Sequence, residues 1–271
     1  MRTTAEKRAA FRALHESGCF ILPNPWDVGS ARMLQALGFQ ALATTSAGFA
    51  WSTGRPDYGV TRDAVLRHLA ELSAAVELPL NADFEAGFAT EPEGVAANLS
   101  LAIQTGIAGA SIEDRDVRAP AALYEVSLAV DRIRAARRAI DAAGGDVLLV
   151  ARTEGLLLDR SAVTHAIDRL VAFADAGADC LFAPGVAQRA DISAMVRAVA
   201  PKPLNVVAVD PTWTLAELRD LGVRRISLGG ALARAAWGAL QGFARQLQTG
   251  SFAALESLPP SRELNEILGR F

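Results

Sequence analysis

The fold is decided by a junction that reads Ala102-Ile103-Gln104-Thr105-Gly106 and continues into the apolar run 107–112. Glycine just beyond a helix accepts the left-handed conformation that ends it, so this order indicates a helix followed by a strand. Three similar junctions occur along the chain, at Gly38, Gly177 and Gly222. Four helix–glycine–strand junctions predict alternating helices and strands, and therefore a parallel sheet.

Working outward from these junctions, short apolar runs give eight candidate strands separated by segments with helical periodicity. Thr90 with Glu93, and Thr214 with Glu217, have the spacing of capping boxes at helix starts. The alternation predicts a (β/α)₈ barrel over residues 1–250, of the TIM type. A doubly wound open sheet is the alternative, but the first strand is not followed by a glycine-rich phosphate turn. The strands are expected near residues 20–22, 41–44, 79–82, 108–112, 147–151, 180–183, 204–207 and 225–228.

The end of the chain contains more apolar sequence than a barrel requires. A long helix is expected over 231–250, and residues 251–271 form a separate helical tail that carries Leu264, Ile267 and Leu268. We expect this tail to pack on the outside of the barrel or on a neighbouring subunit. An apolar surface of this kind favours a homo-oligomer, a dimer or a tetramer.

Composition excludes several classes of partner. The chain has 271 residues, 51% of them hydrophobic, and a net charge of −3, so it is expected to bind neither nucleic acid nor an anionic membrane. No apolar stretch reaches the roughly 18 residues that a membrane span needs. Cys19 and Cys180 lack the spacing of a disulfide framework or a metal site. These features predict a cytoplasmic protein with reduced cysteines.

Acidic residues follow the third and fourth predicted strands, and barrels place their active sites at these strand ends. Residues i and i+2 of an extended strand point to the same side, so Asp83 and Glu85 are expected to face one space. Glu113 ends the next strand. The repulsion between these carboxylates would be relieved by Mg²⁺ or Mn²⁺, which prefer oxygen ligands. Acids that splay into water are the alternative.

Polar residues at other strand ends suggest a substrate site. Arg152 is suited to a substrate carboxylate because its planar fork makes two parallel hydrogen bonds, although an internal salt bridge to Glu113 or Glu154 is the alternative. The turn Thr45-Ser46-Ala47 offers a hydroxyl and consecutive N–H groups, which can cradle an anion. Asn205 lies at the seventh strand. All three histidines fall in predicted helices, so a catalytic histidine is not expected.

These motifs together resemble those of the isocitrate lyase/phosphoenolpyruvate mutase superfamily. The resemblance runs from about residue 20 to residue 250. It implies a (β/α)₈ barrel, often with its last helix exchanged between subunits of a dimer of dimers, and substrates that are 2-oxo acids or their enolates. The matching stretches are Leu22-Pro23-Asn24, Thr45-Ser46-Ala47-Gly48, Gly54-Arg55-Pro56-Asp57-Tyr58-Gly59, Ala82-Asp83-Phe84-Glu85-Ala86-Gly87, Ser111-Ile112-Glu113-Asp114 and Ala151-Arg152-Thr153-Glu154.

The resemblance also implies a role for each matching residue. Asp83 corresponds to the acid that binds Mg²⁺ directly, and Glu85 and Glu113 to the acids that hold the water molecules of the metal. Catalytic roles fall on Arg152, Asp57 and Glu113. The residues implied to contact substrate, or to lie beside it, are Thr45, Ser46 and Ala47 as the carboxylate cradle, Asp83 at the metal, Asp57 as a loop acid, Arg152 as the clamp and Asn205 as a polar contact from strand seven.

One loop departs from the family pattern. The lyases carry a K-[KR]-C-G-H loop after strand four, whereas residues 115–123 contain no Cys, His or Lys. The Lys and Asn of the mutases are missing too. The sequence therefore predicts a Mg²⁺-dependent carbon–carbon lyase or decarboxylase acting on a small 2-oxo dicarboxylate or a related 3-hydroxy acid. Two alternatives remain. One is a carbon–phosphorus enzyme of the phosphoenolpyruvate mutase or phosphonopyruvate hydrolase type, and the other is a barrel that binds a 2-oxo acid without converting it.

Overall fold

A computed structural model describes residues 2–119 and 121–271 and contains one eight-stranded sheet. Every neighbouring pair of strands is parallel, in the order β1-β8-β7-β6-β5-β4-β3-β2. The eight strands lie where the apolar runs predict them, within two residues at each end. They are β1 Phe20–Leu22, β2 Leu42–Ala43, β3 Leu80–Asp83, β4 Gly109–Glu113, β5 Leu148–Arg152, β6 Cys180–Phe182, β7 Leu204–Val207 and β8 Arg225–Ser227.

The two outer strands of this order, β1 and β2, meet through a few hydrogen bonds that nearly close the barrel. The Ala43 N–H donates to the Pro23 carbonyl over 3.1 Å. The Asn24 side chain joins both neighbours of β1, because its Nδ2 donates to the Thr44 carbonyl and its Oδ1 accepts from the Leu228 N–H. The predicted (β/α)₈ barrel is therefore confirmed, and Asn24 holds its seam.

Helices connect the strands and cover the outer face of the sheet. The four junction glycines, Gly38, Gly106, Gly177 and Gly222, all have φ between 87° and 103°, as the sequence predicts. The helices are α1 Thr4–Glu16, α2 Val28–Ala36, α3 Ser46–Ser52, α4 Arg62–Ala75, α5 Pro92–Gln104, α6 Val126–Ala142, α7 Gly155–Leu158, α8 Val163–Asp175, α9 Arg189–Val199, α10 Leu215–Asp220, α11 Ala231–Gln248 and α12 Ser261–Leu268, with a 3₁₀ turn at Ala253–Ser257.

Helix α1 closes the amino-terminal end of the barrel. Its residue Phe11 is fully buried and packs in one apolar cluster with Phe20, Leu22 and Leu148. A Thr3–Glu6 capping box starts the helix. The opposite end of the barrel, where the strands finish, is lined by polar side chains.

The carboxyl-terminal helices are far more exposed than the barrel. Ala233 is the one buried residue of α11, whereas Trp237 and Leu240 are exposed. Beyond it, the tail reaches back to its own barrel: the Arg32 guanidinium of α2 lies 5.3 Å from the centre of the Phe271 ring. The domain boundary at residue 250 and an exchange of this segment between subunits stay predictions.

The sequence predicts reduced cysteines and a cytoplasmic location, and the structure bears on the first of these. Cys19 and Cys180 are both free thiols, as expected. In the described part of the chain, no helix is both long enough and apolar enough to cross a membrane. The cytoplasmic location stays a prediction.

Candidate active site at the carboxyl ends of the strands

Arg152 lies at the centre of the polar barrel mouth. It ends β5 and is in register with Glu113 at the end of β4. Its Nε lies 2.5 Å from Glu154 Oε1 and 3.5 Å from Glu113 Oε2, and its Nη1 lies 3.5 Å from Asp83 Oδ1. Burial lowers the pKa of Arg152, but these three carboxylates outweigh it and hold the pKa above its usual value. The internal salt bridges considered from sequence are therefore present, at the position expected for a substrate clamp.

Asp83 links β3 to the turn that follows β2. Its N–H donates to Thr44 Oγ1 over 2.8 Å, and its Oδ2 accepts from the Ser46 N–H over 2.9 Å. Thr45 is buried and caps α3, because its Oγ1 accepts from the Gly48 N–H. The expected anion cradle thus lies directly beside Asp83. The Ala47 amide is in the first turn of α3, where the helix itself offers no acceptor.

Glu85 is placed differently from the sequence expectation. Strand β3 ends at Asp83, and Glu85 has a left-handed backbone with φ 48°, so the alternation rule for extended strands does not apply to it. Its side chain is nonetheless buried, and Oε1 has no hydrogen-bond partner in the described chain. Burial raises the pKa of Glu85 to about 8, and repulsion from Asp83 and Glu113 adds to the rise.

Glu113 has a phenolic partner that the sequence analysis missed. Tyr58 donates its hydroxyl proton to Glu113 Oε1 over 2.8 Å. Arg115 Nη1 lies 3.3 Å from the same hydroxyl, and its guanidinium stands 4.7 Å from the centre of the tyrosine ring. Burial raises the pKa of Glu113 to about 8, Arg152 opposes the rise, and nearby carboxylates add to it. The sequence signal that could have pointed to Tyr58 is its position next to Asp57, an expected site residue.

Asp57 reaches the same group of acids from the loop before α4. Burial raises the pKa of its carboxyl, and repulsion from Asp83 adds to the effect. The Tyr58 N–H and the Ser46 side chain are hydrogen-bonded to the Asp57 carboxylate. The structure therefore brings together six of the expected residues: Ser46, Asp57, Asp83, Glu85, Glu113 and Arg152.

Asn205 lies deeper in the barrel, next to other side chains. Its Nδ2 donates to Ser227 Oγ over 3.0 Å, and its Oδ1 accepts from Arg225 Nε over 2.8 Å. The residue of β7 that lines the small cavity beside Arg152 is Val207. A contact between Asn205 and substrate stays a prediction.

Two cavities adjoin the acidic group. The larger has a volume of about 520 Å³ and is lined by Asp57, Tyr58, Glu85 and Glu113, among others. The smaller, about 100 Å³, lies inside the barrel, with Asp83 and Arg152 in its wall. The larger cavity has the size of a small-molecule site.

The arrangement of these acids bears on the expected metal ion. Within residues 2–119 and 121–271, no three acidic, His or Cys side chains are already set out as a metal-binding group, and the metal site at Asp83, Glu85 and Glu113 stays a prediction. The donors themselves fit Mg²⁺, because they are hard oxygen ligands and Glu85 Oε1 is buried without a partner. Asp83 would hold such an ion directly, and Glu85 and Glu113 would act through its water molecules.

Comparisons with known proteins agree with this architecture. A crystal structure from Burkholderia cenocepacia, described provisionally as a lyase/mutase, is 46% identical, has a TM-score of 0.95 and covers 98% of this chain and 97% of its own. The 2-methylisocitrate lyase of Escherichia coli is 33% identical over 209 residues, 73% of this chain and 69% of the relative. The oxaloacetate decarboxylase of Pseudomonas aeruginosa is 30% identical over 245 residues, 83% of this chain and 80% of the relative.

Family membership follows from a match over most of the chain. The family model described as phosphoenolpyruvate phosphomutase matches residues 11–248. The named relatives given above include a lyase and a decarboxylase. The chain belongs to the phosphoenolpyruvate phosphomutase family, within the superfamily that includes the isocitrate lyases.

Proposed function

We propose that this protein is a Mg²⁺-dependent lyase that acts on a small 2-oxo dicarboxylate or a related 3-hydroxy acid, with oxaloacetate decarboxylation as the reaction to test first. The observation that carries the proposal is the meeting of Arg152 with Asp83 and Glu113 at the barrel mouth, beside the turn 45–47. The names of two relatives, 2-methylisocitrate lyase and oxaloacetate decarboxylase, support the substrate class.

The metal and the protein would divide the chemistry between them. When bound, Mg²⁺ or Mn²⁺ would withdraw electron density from the 2-oxo group of the substrate. Arg152 would turn from its carboxylate neighbours to one carboxylate of the substrate and fix its orientation. The Ala47 amide and the Thr45 hydroxyl proton would hold the 2-oxo carboxylate alongside Arg152.

Decarboxylation suits the loop that this chain carries. The bond between C3 and the departing carboxylate breaks, its electron pair moves into the enolate, carbon dioxide leaves, and a proton from water adds to C3. A retro-aldol cleavage instead benefits from a general acid, which typically contributes 10²–10⁴-fold. Residues 115–123 offer no Cys, His or Lys for that task. Arginine keeps its proton too tightly to replace them.

A non-catalytic 2-oxo acid barrel is the second candidate. It is favoured by the same loop and by the ion pairs that already surround Arg152. Membership of the phosphoenolpyruvate phosphomutase family also supports an enzyme that acts on a carbon–phosphorus bond. Turnover measurements separate these possibilities.

The test is a continuous assay of oxaloacetate loss and pyruvate formation with and without Mg²⁺. We expect turnover that requires both Mg²⁺ and Arg152, measured with Arg152→Gln, and cleavage of isocitrate and 2-methylisocitrate at least about a hundredfold slower. Oxaloacetate loss equal to the background with Mg²⁺ alone would refute the decarboxylase. It would favour either carbon–phosphorus chemistry or binding of a 2-oxo acid without conversion. Rapid cleavage of either tricarboxylate would show that another residue supplies the acid.

We also propose that the chain forms a homo-oligomer in the cytoplasm. The exposed apolar side chains Trp237, Leu240, Phe252 and Leu255 support assembly, and two free thiols suit a reducing compartment. Deleting residues 251–271 should give smaller species in light scattering. A full-length chain that is monomeric at micromolar concentration would refute the assembly.

A further inference from the structure

A second buried arginine lies in the barrel below Arg152. Arg225 begins β8, is 2% exposed, and donates from Nε to Asn205 Oδ1 over 2.8 Å and from Nη1 to Asn81 Oδ1 over 3.4 Å. Its partners are neutral amides, and in the described chain it forms no ion pair with a carboxylate. A guanidinium has five N–H donors, and a buried charge without a counter-ion is unfavourable.

Two titratable groups interact electrostatically with Arg225, and neither carries a negative charge at neutral pH. Burial raises the pKa of the Cys180 thiol above its usual value. His15 is held neutral, because burial and then the Arg225 charge lower its pKa to about 3. The positive charge of Arg225 is therefore not neutralised by either group.

Arg225 forms part of the wall of the 100 Å³ cavity, whose wall also includes Asp83 and Arg152. Asp83 and Arg152 of this wall pair with each other at 3.5 Å, whereas Arg225 is a cation of the wall without a carboxylate partner in the described chain. Ser227 also lines it. The Ser227 Oγ accepts from Asn205, so its own hydroxyl proton remains available to a guest.

The size of the cavity limits what can bind. A volume of about 100 Å³ has room for several water molecules or for one small group such as a carboxylate. The positive charge, the donors and the volume all fit a compact monoanion.

We propose that this interior cavity is a subsite for a compact monoanionic group, held by Arg225 and Ser227. The group is either a carboxylate arm of the substrate or a free anion of the same size. The first source rests on the proposed function, because it requires a dicarboxylate at the mouth. The second does not.

The free-anion source is tested with formate at constant ionic strength. Formate should raise the melting temperature of the wild type and of Arg8→Met, a control that removes an arginine paired with Asp146 at the other end of the barrel. It should not stabilise Arg225→Met, in which an apolar side chain fills the same volume. An equal formate shift in all three proteins would count against a free-anion site.

The substrate source is tested with two ligands that differ by one carboxylate, pyruvate and oxaloacetate, in the presence of Mg²⁺. Arg225→Met should weaken oxaloacetate binding by roughly tenfold or more and leave pyruvate binding unchanged. If neither 2-oxo acid binds the wild type, the proposed function is wrong. The formate experiment then still tests whether the cavity binds an anion. If neither formate nor the ratio of the two affinities depends on Arg225, the subsite is overturned.

A measurement on the wild type covers the case in which Arg225→Met does not fold. Crystals of the full chain soaked in bromide should show an anomalous peak within hydrogen-bond distance of Arg225 Nη. Soaked crystals with no such peak, together with no stabilisation by formate and no preference for oxaloacetate over pyruvate, would overturn the proposal without any variant.

Discussion

Both ends of the barrel contain buried side chains, but these side chains differ sharply in charge. At the amino-terminal end, Phe11 packs on Phe20 and Leu148 in an apolar cluster. At the carboxyl-terminal end, Glu85 and Glu113 are also buried, and their pKa values are raised to about 8. The amino-terminal end is packed with apolar side chains that favour stability, whereas the carboxyl-terminal end buries acidic groups whose ionisation is unfavourable. Stability and function are therefore separated along the barrel axis, as is usual for this fold.

The largest effect is expected at the closed end. Phe11→Ala should lower the free energy of unfolding by about 3–5 kcal/mol, because it removes a fully buried ring and leaves a cavity. Turnover per folded molecule should not change, since the mouth is untouched. Denaturant unfolding and an activity assay on the same sample check both parts. A variant that is stable but inactive would break the proposed separation.

Glu85→Gln should have the opposite pattern at the mouth. It should lower turnover by roughly 10- to 100-fold if Glu85 holds metal-bound water. It should also stabilise the metal-free protein at high pH. The pKa of Glu85 is raised in the folded state, so its penalty is absent below about pH 4.5 and complete above about pH 8.

Thermal unfolding from pH 4.5 to 9 checks this effect, with the exposed Glu93→Gln as control. The gain in stability of Glu85→Gln over the wild type should grow as the pH rises from about 4.5 to about 8 and should level off above that. A difference that does not depend on pH would contradict the assignment.

His15→Phe should make the closed end less sensitive to acid. The pKa of His15 is lowered to about 3, mainly by burial, so the unfolded chain binds a proton that the folded chain does not between about pH 6.5 and pH 3. Wild-type stability is therefore lost as the pH falls through this range, by up to about 2 kcal/mol at pH 5. The variant should lose less, whereas exposed His165→Phe should behave like the wild type. Identical acid profiles for all three proteins would contradict the account.

Tyr58→Phe should have the smallest effect. Loss of the hydrogen bond to Glu113 should lower turnover by about tenfold, because the carboxylate loses one of the groups that orient it. The Michaelis constant should change less than turnover. Steady-state kinetics measure both constants, and an unchanged turnover number would remove Tyr58 from the site.

Most of the fold could be predicted from sequence, because local signals agree with one another. Each junction glycine requires a positive φ, and each strand is a short apolar run next to it. The expected Thr90–Glu93 capping box is wrong, because Pro92 takes the first helical position and Glu91, not Thr90, is the N-cap of α5. The Thr214–Glu217 box is confirmed.

The site was harder to predict, because its contacts join distant parts of the chain. Asp83 and Glu113 follow strand ends and were found by that rule. Tyr58 meets Glu113 across 55 positions, and its place next to Asp57 does not identify Glu113 as its partner. Arg225 and Asn81 meet across 144 positions at interior sites of separate strands, where a sequence pattern records only burial.

Mg²⁺ titration of the full chain by calorimetry, with pyruvate present and with Asp83→Asn as the partner sample, tests the central claim most directly. The account predicts one Mg²⁺ per chain for the wild type and at least a tenfold loss of affinity in Asp83→Asn, with both proteins folded by circular dichroism. Equal Mg²⁺ affinity in the two proteins, or no Mg²⁺ binding by the wild type, would contradict it.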